Sequence, residues 1–293
     1  MTLQRMQARL AAWQSFREIA GATRTLAAGR ALQWTKRAQQ TGAFRERCAS
    51  LAATYGLLPP PTTVAHVTLA IGTDTGLCGS LNRAVARALD DAERGPDALT
   101  IAVGHRLAIE ACTDTPIVFE APASFADIEQ TGAQIQQLVL PLPAETTRVH
   151  IILATRVTAD GMAKVETLRG ELPTSPSLEP SVELTAASLN RTTVARLWRG
   201  ARIVDALAIG ARSESEARLR TMARAHDAAE RRIAEQQRAL ARERGESITQ
   251  EILDARRKPG RVFQPGAATD GAATASSKHA DASPGTRRLP SGH

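Results

Sequence analysis

Aromatic side chains make up only 3% of this 293-residue chain, and Tyr55 is the single tyrosine. Aromatics supply much of the apolar payload of compact cores and ligand pockets, so a deep, pocketed core is not expected. Cysteine is almost as scarce. Cys48, Cys78 and Cys112 are odd in number and widely spaced, which excludes a disulfide framework and a paired-cysteine zinc site and fits a reducing, cytoplasmic setting. No apolar run approaches the roughly 20 residues that a membrane span requires, and no apolar signal segment follows Met1–Leu10. Membrane association is therefore expected to be indirect.

Catalytic constellations are missing as well. His66, His105, His150 and His226 are scattered without metal-ligand spacing. There is no nucleophile elbow and no Walker A loop. The chain is expected not to be an enzyme, to carry no metal and to need no cofactor.

What is present is mostly helix. No proline occurs before Pro59, and residues 2–55 read as one helix. Its apolar stripe runs through Leu3, Met6, Leu10 and Trp13 and then drifts through Phe16, Ile19, Thr23 and Leu26. Gly21, Gly29 and Gly42 each weaken such a helix by roughly 1 kcal/mol relative to Ala, which predicts support from a partner helix. Pro59–Pro61 ends it. Strands are expected at Val64–Ile71, Leu99–Val103, Ile117–Phe119 and Val149–Thr155, and helices at Asn82–Glu93, Arg106–Cys112 and Asp127–Leu138. This alternation predicts a small α/β domain with a largely parallel sheet.

Pro173 and Pro176 mark a loop. From Leu189 to Ala255 the chain again lacks proline and reads as helix, with Leu219, Met222, Ala229, Ile233 and Leu240 in its seam. His226 and Gln236 take two other seam positions, so a weak, polar coiled coil is expected. The predicted fold is thus a central Rossmann-like α/β domain (59–188). It is flanked by long N- and C-terminal helices (1–58 and 189–257) that pair antiparallel. A Gly-, Ala-, Ser- and Pro-rich tail (258–293) is expected to be disordered.

Formal net charge is +7 with a pI near 10.1. This suits an anionic partner, and equally suits arginine-rich helices that are simply well solvated. A basic stripe on the first helix (Arg17, Arg24, Arg30, Lys36, Arg37) lacks interleaved aromatics, so no nucleic-acid partner is expected. The loop Gly72–Gly79 lies between a strand and a helix, where a dinucleotide would bind, but its spacing is Gly-x3-Gly-x2-Gly. The competing reading is a tight turn in which glycine supplies positive φ. A short-chain dehydrogenase would need its catalytic tyrosine after this loop, and Tyr55 precedes it.

Two segments carry a family signature. Gly76-Leu77-Cys78-Gly79-Ser80-Leu81-Asn82 directly follows the first strand. Ser213-Glu214 leads through Arg218, Met222, Ala225 and Asp227 to Arg244 and then Ser247-Ile248-Thr249-Gln250-Glu251. Together, over about residues 1–255, the chain resembles the γ subunit of F-type ATP synthases. Departures include Thr23 where the family has methionine, Gly245 in place of glutamine, and Leu219 and Arg220 in place of methionines. This divergence suggests an alternative, sodium-translocating F-type ATPase.

The resemblance implies a central-stalk rotor. The paired helices would turn inside a ring of three α and three β subunits, coupling ion flow to ATP synthesis or hydrolysis. The α/β domain would sit on the c-ring of Fo beside the ε subunit, at the cytoplasmic face of a bacterial inner membrane. By position, Thr23, Arg218, Arg244 and Thr249 would contact the β subunit. The signature turn is Gly76, Leu77, Cys78, Gly79 and Asn82. Two readings of other classes compete: a coiled-coil adaptor with an α/β docking head, and a Rossmann-like oxidoreductase.

Overall fold

A computed structural model of the chain describes residues 3–54, 65–92, 98–112, 116–142, 147–169 and 191–257. The prolines Pro59–Pro61, Pro173 and Pro176, Tyr55 and the tail after Arg257 lie outside the described residues. The chain divides into two compact units, residues 1–244 and 245–293.

Ten elements follow in order: α1 (Leu3–Thr54), β1 (Ala65–Ile71), α2 (Leu81–Asp90), β2 (Leu99–Val103), α3 (His105–Glu110), β3 (Ile117–Phe119), α4 (Phe125–Val139), β4 (Thr147–Val157), β5 (Ala163–Leu168) and α5 (Arg191–Arg257). The predicted strands and helices all form, with shifts at their ends. β5 was not anticipated. Its sequence places Lys164 and Glu166 among apolar residues and none of its residues is fully buried, as suits a strand at a solvated edge.

The five strands lie in the order β3-β2-β1-β4-β5. β1 runs parallel to β2 and β4, β2 runs parallel to β3, and β5 closes the edge antiparallel to β4. Parallel strands are covered on both faces, and β1 is buried accordingly at Val67, Leu69, Ala70 and Ile71. On one face Leu69, Ile101 and Ile151 pack with Ile128 and Ile135 of α4 and with Ile203 and Leu207 of α5. On the other, Ala70, Ala102 and Ile152 pack under Leu81, Val85 and Leu89 of α2 and Leu107 of α3. Each such Leu or Ile contributes about 1.5–3 kcal/mol by burial. α4 starts at a capping box: Asp127 N donates to Ser124 Oγ, and the Asp127 carboxylate accepts from Ser124 N.

α1 buries a stripe of mainly small residues, Ala20, Ala27, Ala31, Trp34, Ala38, Thr41, Cys48 and Ala52, at steps of three, four or seven. Near its C-terminal end Cys48, Ala49 and Ala52 pack on Val194, Ala195, Trp198 and Ala201 of α5. Further back along α1, Thr41 meets Asp205 and Gly21 faces His226. Positions that fall along α1 rise along α5, so the two helices are antiparallel. Among the described residues no helix is long and apolar enough to cross a membrane.

Candidate functional site

The glycine-rich turn after β1 is held by its own side chains. At Gly72 a Cβ would lie 2.6 Å from Leu107 Cβ and 2.7 Å from Asn82 Oδ1, so a side chain there would collide with both. Asn82 Oδ1 accepts from Thr73 N at 3.0 Å, and Asn82 Nδ2 donates to Thr73 Oγ1 at 2.9 Å. Thr73 Oγ1 in turn donates to Thr75 O. Asp74 reaches across the end of the sheet. Its Oδ1 accepts from His105 N at the start of α3, and its Oδ2 from Ala121 N after β3. Thr73, Asp74 and Asn82 thus spend their side chains on the domain's own backbone and on each other. That arrangement braces the turn.

Leu77 and Gly79 both take positive φ, 67° and 62°. The left-handed region disfavours a residue with a Cβ, and it leaves the Leu77 side chain 61% exposed. Strain of this kind gathers at functional positions. Cys78, between them, is buried and lies 3.4 Å from Gly76 O. Burial pushes its thiol pKa up, and the nearby Arg218 only partly counters this.

Arg218 of α5 reaches this turn. Its Nη2 lies 2.6 Å from Thr75 Oγ1, 3.5 Å from Cys78 Sγ and 2.6 Å from Glu214 Oε1. Its side chain is 15% exposed. Glu214 is itself enclosed, and burial raises its pKa against the pull of Arg218. The structure therefore joins two of the sequence signatures to each other: the turn and the first half of the C-terminal helix.

Thr23 is half-buried on α1 and Arg244 is exposed on α5. Thr249, also exposed, donates to Gly245 O in its own helix. Asp205, which no motif singles out, ties α1 to α5 through polar bonds. It accepts from Thr41 Oγ1 at 2.8 Å and from Arg45 Nε at 2.7 Å. Burial nonetheless holds its pKa above the ordinary carboxylate value. Nearby, Arg202 donates to Leu168 O, and burial pushes its pKa down to about 10. A lone Asp about four turns into an arginine-rich helix is the sort of sequence signal that could have marked this tie.

His226, Asp227 and Glu230 could together hold a metal ion, the acids being exposed. The His226 ring faces Gly21, where a Cβ would lie 3.4 Å from its Cδ2, an ordinary van der Waals contact.

Residues 2–255 match the model of a family described as ATP synthase. No curated protein matches the chain. Among solved structures, the chain resembles one from the rotor of Euglena gracilis mitochondrial ATP synthase, at 17% identity and a TM-score of 0.59. That match covers 84% of this chain and 99% of the other. A second, from the OSCP/F1/c-ring of the same enzyme, matches at 19% identity and a TM-score of 0.61, covering 90% and 99%. A third, from the central stalk and c-ring of Tetrahymena thermophila mitochondrial ATP synthase, matches at 17% identity and 0.50, covering 71% and 99%. At these identities the likeness is one of fold.

Proposed function

The chain belongs to the γ-subunit family of ATP synthases, and from that premise we propose that it is a rotor without an active site of its own. The paired helices turn within a ring of α and β subunits, and the α/β domain rides on the c-ring beside ε. Rotation couples ion flow to ATP synthesis or hydrolysis at sites on the β subunits. The observation that supports this best is the antiparallel pairing of α1 with α5 around an inserted domain, as in the rotor and central-stalk structures it resembles.

A rotor needs stiffness and a surface that slides. The α1–α5 seam supplies stiffness through small buried residues and the Asp205 tie. The outer faces are polar, with exposed apolar residues such as Ile19 and Leu26 interspersed. Thr23, Arg244 and Thr249 are assigned contacts with the β subunit. Arg218 is assigned an influence on that contact through the turn it holds. The home of the complex is the cytoplasmic face of a bacterial inner membrane.

Co-expression with the α and β subunits of the same organism, followed by native mass measurement, tests this reading. One copy of this chain with three α and three β subunits is expected. A chain that stays alone while α and β assemble around another γ subunit would replace the rotor with a coiled-coil adaptor.

A further inference from the structure

Three arginines on α5 reach three different segments at one end of the sheet. Arg212 Nη2 donates to Thr155 O of β4 at 2.8 Å. Arg218 Nη2 donates to Thr75 Oγ1 in the turn after β1 at 2.6 Å. Arg224 Nη1 donates to Asp160 O in the β4–β5 hairpin at 2.7 Å. We propose that these arginines form a torque clamp, which makes the α/β domain and α5 turn as one body.

Each seat is shaped for its guanidinium. The β4–β5 ladder pairs Ala154 with Val165 and then Arg156 with Lys164, skipping Thr155. A bulge of this kind withdraws one residue from the ladder and re-aims it, and here the carbonyl turned out belongs to Thr155. In the hairpin, Gly161 holds φ at 81°, and a Cβ there would lie 2.7 Å from Arg224 Cζ. Having no Cβ, the glycine leaves that space to the guanidinium. Arg218 is held on its other side by Glu214, one helical turn back, and Glu216 stands 3.7 Å from Arg212.

Earlier on α5 the contact with the sheet is mainly apolar, with Arg202 donating to Leu168 O of β5 beside it. Ile203, Leu207, Ala208 and Ala211 meet it through apolar surface, and Gly210 lets Ile71 approach closely. Apolar burial is non-directional. It resists separation of helix and sheet more than sliding or turning of one on the other. Hydrogen bonds have a preferred line, and charged donors make them about twice as strong. Three of them, two to backbone carbonyls and one to the Thr75 hydroxyl, on separate segments of the chain, oppose rotation of α5 about its own axis. In a rotor driven through its globular domain, that is the motion by which torque would be lost.

The proposal rests on the rotor reading, and its test separates the two. A bead is attached through the exposed Cys112 of the globular domain in the assembled, membrane-reconstituted complex. Angular fluctuation of the stalled rotor, ions pumped per ATP and the unfolding midpoint of the chain are then measured. The double variant Arg212→Met/Arg224→Met is expected at least to double the angular variance and to lower pumping per ATP. ATP hydrolysis and the unfolding midpoint should stay close to those of the parent. Arg212→Lys/Arg224→Lys, which keeps a charged donor at each seat, is expected to restore stiffness. Should the double variant fail to fold, Arg224→Met alone carries the same expectation. Unchanged variance and pumping in a Met variant overturn the clamp and leave the rotor standing. A parent chain that neither assembles nor rotates overturns both.

Discussion

Arg45 Nε donates to Asp205 Oδ2 at 2.7 Å, joining α1 to α5 through a carboxylate whose side chain is only 4% exposed. The two partners differ in their access to water, since Arg45 is about one-third exposed. Losing the carboxylate therefore does not strand a buried cation. The buried Thr41 hydroxyl loses its shorter hydrogen bond and falls back on Ala38 O, its other acceptor. Asp205→Ala is expected to cost about 1–3 kcal/mol, and Asp205→Asn less. The pH dependence has a definite sign. A carboxyl group whose folded pKa is raised binds more protons folded than unfolded. Its contribution therefore makes stability fall as pH rises from about 3.8 through the folded value. Urea unfolding at several pH values should show that share of the slope gone in Asp205→Asn.

His150 works in the opposite direction. Burial lowers its pKa from 6.5, as do His66, Arg169, Arg148 and Arg202, in that order after burial. Its ring meets that of His66 edge to face, with centroids 6.0 Å apart. A histidine with a depressed folded pKa supports the fold above pH 6.5, and that support is lost as pH falls through the folded value. Denaturation at pH 5 to 8 should show a smaller loss on acidification in His150→Gln than in the parent.

Two helical glycines should respond with opposite signs. At Gly29 of α1 a Cβ would meet nothing within 4 Å, whereas at Gly210 of α5 it would lie 2.5 Å from Ile71 Cγ2. Gly29→Ala is expected to stabilise the isolated chain by roughly 1 kcal/mol through helix propensity. Gly210→Ala is expected to destabilise it by about 1–3 kcal/mol, because Ile71 is β-branched and buried and cannot step aside. Thermal unfolding of both variants beside the parent decides this.

Thiol reactivity should sort the three cysteines. Cys112 is exposed, whereas Cys48 and Cys78 are buried with pKa values raised by burial. The thiolate is the reactive form. A disulfide reagent added to the native chain at neutral pH should therefore titrate one thiol quickly and the other two only on unfolding. Fast reaction at Cys78 would mean that the turn opens.

Much of this architecture was legible in the sequence because local pattern governs it. Both long helices follow from uninterrupted helix-forming sequence, and Leu99–Val103 and Ile117–Phe119 fall at their predicted bounds. β5 escaped because Ala163–Leu168 carries Lys164 and Glu166 on an edge, where no apolar run is needed. The turn was read as a signature, but its bracing was not. Asp74 meets Ala121 at 47 residues' separation, and Arg218 meets Thr75 at 143. No local spacing announces such bonds. Nothing local in the sequence sets Arg212 and Arg224 apart from the other helix arginines, for the same reason. Their acceptors are backbone carbonyls, which every residue carries.

The seam between α1 and α5 also has a history in time. Thr41 and Asp205 are 164 residues apart in the chain. At a synthesis rate of about 5–20 residues per second, α1 waits on the order of ten to thirty seconds for the helix that covers it. During that interval its future seam is open to other nascent chains. A stripe of Ala20, Ala27, Ala31 and Ala38 offers them far less to stick to than leucines would. The small residues that let the finished helices come close also keep the waiting one safe from aggregation.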